Sequence, residues 1–177
     1  MDKAIRVGMV GSGNAAVFHY AAYQRVSGVP VSVVGITALD VDQCREFARS
    51  RNIRQFETLS KMLPEVDVID NCTPGYAHEP VCIAAFEAGK HVIVEKPFTG
   101  YYGPAGDDGF QGNRHSKQIM LEEAVASARR VIAAALKSKR KLCYAENWIY
   151  APAVQKEAEI LSKGKGQILW ALGDQSH

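Results

Sequence analysis

The sequence lacks the patterns that would place it outside the ordinary globular classes. No apolar run approaches the roughly 18 residues of a membrane-spanning helix, and Met1 to Arg6 lead towards a strand without the apolar stretch of a signal peptide. The four cysteines, Cys44, Cys72, Cys82 and Cys143, stand apart with no CxxC spacing. A zinc knuckle and a disulfide framework are excluded, which leaves small buried hydrophobes. Charge of one sign is missing too: 21 Lys and Arg oppose 19 Asp and Glu, and a net charge of +2 is too small to imply a polyanion partner. The single basic cluster, Lys137, Lys139, Arg140 and Lys141, closes a predicted helix, where cations suit the dipole. His19, His78 and His91 are whole elements apart and lack metal-ligand spacing, so no metal is expected. These absences lead to the expectation of a cytoplasmic protein with neither nucleic-acid nor membrane partners.

What is present is a chain of 177 residues, 47% hydrophobic and 23% charged, large enough to bury a sizeable core and to hold one domain with the start of another. Ile5 to Val10 is a short apolar run that enters Gly11-Ser12-Gly13, and Ala15 to Val26 carries apolar residues at helical spacing. Val31 to Ile36 is a second run rich in β-branched residues. Asp40 follows as an N-cap, because its carboxylate can accept the unpaired N–H groups of a helix reaching about Ser50. The rhythm repeats with strands at Ile53 to Phe56, Val66 to Asn71 and His91 to Val94, and with helices from about Leu59 and from about Ala77 to Ala88. Strands that alternate with helices, and that are apolar without strict two-residue alternation, predict a parallel sheet covered on both faces. The fold class is α/β, a doubly wound, mostly parallel sheet of Rossmann type.

After Pro97 the rhythm stops. Thr99 to His115 holds Gly100, Gly103, Gly106, Gly109 and Gly112 and predicts no regular structure, which leaves open a mobile surface excursion or an ordered loop near the site. A long helix resumes over Lys117 to Ser138, then a strand at Leu142 to Ala145, a helix at Pro152 to Ser162 and an apolar run at Gln167 to Leu172. That last run reads as a strand in need of neighbours. The expected organisation is a dinucleotide-binding domain over 1–150 and, over 151–177, a crossover helix and the first strand of a second α/β domain, which is expected to be missing from a larger two-domain protein.

The chemistry-bearing residues gather at predicted strand ends. Gly11, Gly13 and Ala16 form a GxGxxA turn: the first admits the tight turn, the second lets backbone approach a pyrophosphate, and the third lets helix pack on strand. The backbone of Gly11, Ser12, Gly13, Asn14 and Ala15 then meets phosphate at a helix N-terminus. The second strand ends at Thr37 and Ala38, where an acid would accept ribose hydroxyls, but no acid occurs before Asp40. Room for a 2′-phosphate is left there, with Arg45 the nearest candidate cation, so the cofactor is NAD or NADP. Asn71-Cys72-Thr73-Pro74 and Glu95-Lys96-Pro97 follow the fourth and fifth strands, at the carboxyl edge where open α/β sheets bind ligands. Thr73 can reach the cofactor, and Lys96 can bind and polarise a substrate hydroxyl. A proline at position 97 admits a cis bond before it.

These stretches resemble the N-terminal part of the Gfo/Idh/MocA family of nicotinamide-dependent oxidoreductases, which includes glucose–fructose oxidoreductase and inositol dehydrogenases. The resemblance is carried by Gly11-Ser12-Gly13-Asn14-Ala15-Ala16 with His19, by Cys72-Thr73-Pro74 with His78, and most specifically by Ala88-Gly89-Lys90-His91-Val92-Ile93-Val94-Glu95-Lys96-Pro97. Glu146-Asn147-Trp148 to Pro152 resembles the family's crossing into its substrate domain. The resemblance implies that Lys96 contacts substrate and cofactor, that Glu95 and Pro97 shape the turn near the nicotinamide, and that His78 and Asn147 belong to the cofactor site. It also implies a catalytic aspartate and histidine from a second domain, expected beyond His177.

The implied activity is hydride transfer from a secondary alcohol of a sugar, inositol or related polyol to NAD or NADP. The 177-residue chain is expected to bind cofactor without turnover, and the full-length form to assemble as a homo-oligomer. The alternative is a non-catalytic dinucleotide-binding regulator or structural homologue.

Overall fold

The computed structural model describes residues 3–104, 107, 109–164, 166–170 and 172. The chain divides into two compact units, Met1–Ala145 and Glu146–His177. The first holds a six-stranded sheet built from β1 (Ile5–Val10), β2 (Val31–Thr37), β3 (Arg54–Gln55), β4 (Val68–Asn71), β5 (His91–Val94) and β6 (Leu142–Tyr144). Its spatial order is β3-β2-β1-β4-β5-β6, and every neighbouring pair is parallel. The order reverses beside β1, which makes the gap between β1 and β4 the switch point where such sheets open a ligand crevice.

Among the described residues five helices of this unit cover the sheet: α1 (Asn14–Tyr23), α2 (Val41–Ser50), α3 (Leu59–Met62), α4 (His78–Glu87) and α5 (Lys117–Ser138). Adjacent strand residues point to opposite faces, and Met9 and Val10 accordingly serve two separate cores. Met9 and Ile36 pack with Ala16 of α1 and with Cys44, Phe47 and Ala48 of α2. On the other face, Ile69 and Val92 pack with Met62, Cys82, Ala85, Phe86, Val131 and Ala135 from α3, α4 and α5. Cys82, Ala85 and Phe86 recur at helical spacing, so α4 presents one apolar stripe inward. Burying a side chain such as Phe86 stabilises the fold by about 1.5–3 kcal/mol.

Local signals set the element ends. Asp40 caps α2, its carboxylate accepting from the Gln43 N–H at 2.9 Å. Ser116 and Thr58 cap α5 and α3 in the same way. The fourth strand begins at Val68, two residues later than the apolar run suggests, because Leu63–Glu65 forms a 3-10 turn. Asp67 is then held by Arg6, whose guanidinium donates to the carboxylate at 2.7 and 3.0 Å.

In the second unit, Asn147–Tyr150 is a 3-10 turn and α6 spans Pro152–Lys163, with Pro152 at the helix start where its missing N–H is harmless. The strand expected at Gln167 to Leu172 is not formed among the described residues. An apolar run acquires strand geometry through a ladder of partner hydrogen bonds, and pattern alone does not supply one.

The stretch after Pro97 is packed over much of its described length. Tyr101 and Phe110 meet edge to face at 5.3 Å between ring centroids, Phe110 lies 4.8 Å from the His115 ring, and Tyr102 meets Tyr76 at 6.3 Å. Gly112–Arg114 is a 3-10 turn, and the Thr99 hydroxyl donates to the Ala124 carbonyl at 2.8 Å. Ala105, Gly106 and Asp108 lie outside the described residues.

Candidate dinucleotide site

Parallel register brings the ends of the strands to one edge. Val10 stands opposite both Thr37 and Asn71, Asn71 opposite Val94, and Val94 opposite Tyr144. The next residues, Gly11, Cys72 and Glu95, therefore share that edge. Their backbones continue the pairing: Gly11 N–H donates to Thr37 at 2.8 Å, Cys72 N–H to Val10 at 2.9 Å and Glu95 N–H to Asn71 at 3.1 Å. Lys96 follows on the same edge, exposed, and the Lys96–Pro97 peptide is cis.

A cleft of about 710 Å³ opens there, within the usual range for small-molecule and cofactor sites. Its floor is the turn Gly11, Ser12, Gly13, Asn14 and Ala15; its walls include Thr37, Ala38, Leu39, Asp40 and Gln43 on one side and Cys72, Thr73 and Pro74 on another. Gly11 adopts φ +96°, and a Cβ at this position would lie 2.7 Å from the Cys72 carbonyl oxygen. Gly13 differs: a Cβ there would meet nothing within 4 Å. Gly13 is also the N-cap of α1 and offers no capping side chain, so the first N–H groups of this ten-residue helix lack a side-chain acceptor at the cleft. Open space beside uncapped N–H donors is what a pyrophosphate requires, and the residues present fit a dinucleotide.

The end beyond Thr37 carries carboxylates. Asp40 and Glu57 line the cleft, and no lysine or arginine does among the described residues. Arg45, the candidate cation for a 2′-phosphate, is exposed, does not line the cleft and pairs with Asp42 at 2.6 Å. Gln43 reaches back to the turn instead, its side-chain oxygen accepting from the Ser12 hydroxyl at 2.8 Å.

His78, expected to touch cofactor, is a brace. It is 1% exposed, with Nδ1 2.9 Å from the Pro97 carbonyl oxygen and Nε2 2.9 Å from that of Thr73. The ring thus ties the loop after β4 to the loop after β5 and does not line the cleft. Asn71 shares in this support, its side-chain oxygen accepting from the Thr73 hydroxyl at 2.7 Å. Glu95 and Lys96 lie at the shared edge but outside the walls of the cleft, and the Lys96 ammonium pairs with no carboxylate among the described residues. Asn147 belongs to the second unit.

Sequence reasoning missed one cluster. His19 of α1 places Nδ1 2.9 Å from Asp70 Oδ2 and Nε2 3.0 Å from Glu95 Oε1. The Tyr23 hydroxyl donates to Asp70 at 2.9 Å, and the Cys72 thiol lies 3.6 Å from it. The hydrogen bond to Asp70 leads the causes that hold the His19 pKa up, to about 9; burial opposes it, and the charge of Asp70 and the hydrogen bond and charge of Glu95 add to it. Burial and the Asp70 charge push the Tyr23 phenol and the Cys72 thiol upward, so both stay neutral. The contacts within this group are those of a hydrogen-bond network. A sequence signal existed only as the histidine one turn into the helix after the glycine turn.

With this geometry, residues 5–105 match the family described as an oxidoreductase family with an NAD-binding Rossmann fold, GFO_IDH_MocA. The chain belongs to that family. It is 32% identical over 95 residues to a UDP-N-acetylglucosamine 3-dehydrogenase of Acidithiobacillus ferrooxidans, covering 54% of this chain and 29% of that one. It is 30% identical over 135 residues to an inositol 2-dehydrogenase 4 of Saccharopolyspora erythraea, covering 74% and 36%. The chain thus spans about a third of the length of these curated relatives. In fold it is similar to the WlbA dehydrogenase of Bordetella pertussis, solved in complex with NADH and UDP-GlcNAcA: the TM-score is 0.74 at 21% identity, over 93% of this chain and 41% of that one. The doubly wound parallel sheet is common to both.

Proposed function

We propose that the cleft holds a nicotinamide dinucleotide, and that the protein is an oxidoreductase transferring hydride from a secondary alcohol of a sugar, inositol or related polyol. The observation that carries this is the common edge of the sheet, where the uncapped N-terminus of α1 stands at the end of β1 and the exposed Lys96, unpaired among the described residues, at the end of β5, with only β4 between them. Gly11 to Ala15 would hold the pyrophosphate, Thr37 to Asp40 the adenosine ribose, and Cys72 to Pro74 the middle of the cofactor. Bound there, the nicotinamide supplies the hydride acceptor.

The protein's own part is to position and to stabilise charge. An alcohol losing hydride also loses its hydroxyl proton, and negative charge develops on its oxygen. The Lys96 ammonium can bind that hydroxyl and stabilise the charge, while His78 and the network around His19 hold the backbone on either side of the lysine. The relatives named for inositol and for UDP-N-acetylglucosamine act on ring alcohols by their names, which supports a ring secondary alcohol as the substrate class.

Steady-state reduction of NAD and NADP with a panel of sugars and inositols, on the protein as its gene encodes it, tests the reading. Turnover with at least one polyol is expected, and Lys96→Ala lowers kcat/KM by about 10²–10⁴-fold, the usual worth of a positioned acid–base group. Unchanged kcat/KM in that variant removes the lysine from the mechanism. Cofactor binding without turnover on any polyol favours a regulator.

A further inference from the structure

His19 stands between two parts of the proposed site. Its helix, α1, begins at Asn14 on the floor of the cleft, and its ring faces the end of β4 and the turn that follows β5. Both ring nitrogens face carboxylate oxygens, Nδ1 at 2.9 Å from Asp70 and Nε2 at 3.0 Å from Glu95, and a ring that donates at both sides must carry both protons. The other carboxyl oxygen of Glu95 accepts from the Lys96 N–H at 2.9 Å. A continuous chain of hydrogen bonds therefore runs from buried Asp70, 0% exposed, through the ring and Glu95 to the backbone of the lysine.

We propose that His19 is a positioning residue for Lys96: it clamps the Glu95 side chain and so fixes the lysine's backbone relative to the glycine turn that opens the same helix. The proposal rests on the cofactor reading of the cleft for its functional meaning, but the clamp is a property of the free protein. A helix is rigid over these few residues, so α1 sets the spacing between the pyrophosphate cradle and the lysine. That spacing matters, because misplacing a reacting group by about 1 Å can cost a hundredfold in rate.

The groups facing the ring are Asp70 and Cys72 from β4 and the residue after it, Glu95 after β5, and Tyr23 from its own helix, with Cys143 of β6 acting on Tyr23. Cys72 and Tyr23 are held neutral by burial and by Asp70, so over the alkaline range the ring is the group whose charge changes at the clamp. Deprotonation leaves one nitrogen without a proton to donate. The clamp then opens at one side.

Carbon-detected NMR of the unmodified protein tests this without cofactor or turnover. The His19 ring is expected to titrate with a midpoint of about 9, and the Lys96 carbonyl carbon to shift with the same midpoint. A Lys96 carbonyl that stays fixed while His19 titrates overturns the proposal. As a second measurement, amide exchange at Lys96 near neutral pH is compared in His19→Gln, Glu95→Gln and the double variant. Each single change is expected to speed exchange by about tenfold, on the scale of one lost hydrogen bond, and the double variant no further, because the two residues act through one contact. Additive effects, or equal acceleration throughout β1 and β4, also overturn it. Titration of NADH against the unmodified protein separates this outcome from the cofactor reading: absence of binding sinks that reading and leaves the clamp standing.

Discussion

Gly11 and Cys72 approach so closely across the switch point that a Cβ on the glycine would lie 2.7 Å from the cysteine's carbonyl oxygen. The contact is backbone against backbone, so no rotamer change relieves it, and φ at Gly11 is +96°. Gly11→Ala is therefore expected to destabilise the domain by about 1–3 kcal/mol, the range for a residue forced into a sparsely populated conformation. Urea denaturation followed by circular dichroism measures it. A variant as stable as the parent would show that the turn relaxes freely.

Cofactor preference follows from the far end of the cleft. Asp40 and Glu57 line it, no lysine or arginine does among the described residues, and Arg45 is engaged with Asp42. A 2′-phosphate brought there meets carboxylates without a compensating cation. NADH is expected to bind at least about tenfold more tightly than NADPH, equivalent to about 1.4 kcal/mol. Asp40→Arg should narrow the gap. Equal affinities for the two cofactors in the parent protein would contradict the account.

Stability should depend on pH at two ends for two different reasons. The Arg6 guanidinium holds the Asp67 carboxyl down to about 2 from an ordinary 3.8, so its contribution is complete above about 3.8 and is lost as pH falls through about 2. Both partners are about a third exposed, which keeps the effect small. His19 works in the other sense: raised from 6.5 to about 9, it contributes fully below 6.5, and its contribution is lost as pH rises through about 9. Thermal melts across pH should show Asp67→Asn flattening the acid limb and His19→Gln the alkaline limb. Unchanged alkaline limbs in His19→Gln would remove the charge assigned to that ring.

Much of this arrangement was legible in the residues. The strand–turn–helix order, the Asp40 cap and the lysine after the fifth strand depend on local chemistry, and each lies where the sequence places it. Local signals failed where the answer depends on distant partners. His78 looks like a ligand beside Thr73 and Pro74, but whether it faces the cleft or braces Pro97 is decided by the packing of two loops. The bonds among His19, Asp70 and Glu95 join residues 51 and 76 positions apart from the histidine, a separation that periodicity cannot bridge. Gln167 to Leu172 has the composition of a strand, yet its described residues have no ladder to define one.

The two glycines of the turn offer the most direct test of the central claim, because they separate folding from binding. Gly11 is fixed by backbone contact, whereas a side chain at Gly13 would enter open space at the N-terminus of α1. Gly13→Asp should fold as well as the parent and yet place a carboxylate where the pyrophosphate is to lie. Calorimetric titration of NADH against the parent chain and Gly13→Asp is the measurement. The account predicts saturable binding by the parent and a loss of at least about tenfold, about 1.4 kcal/mol, in a variant that melts no lower than the parent, because aspartate is itself a good N-cap. Equal affinity in the two proteins would contradict it.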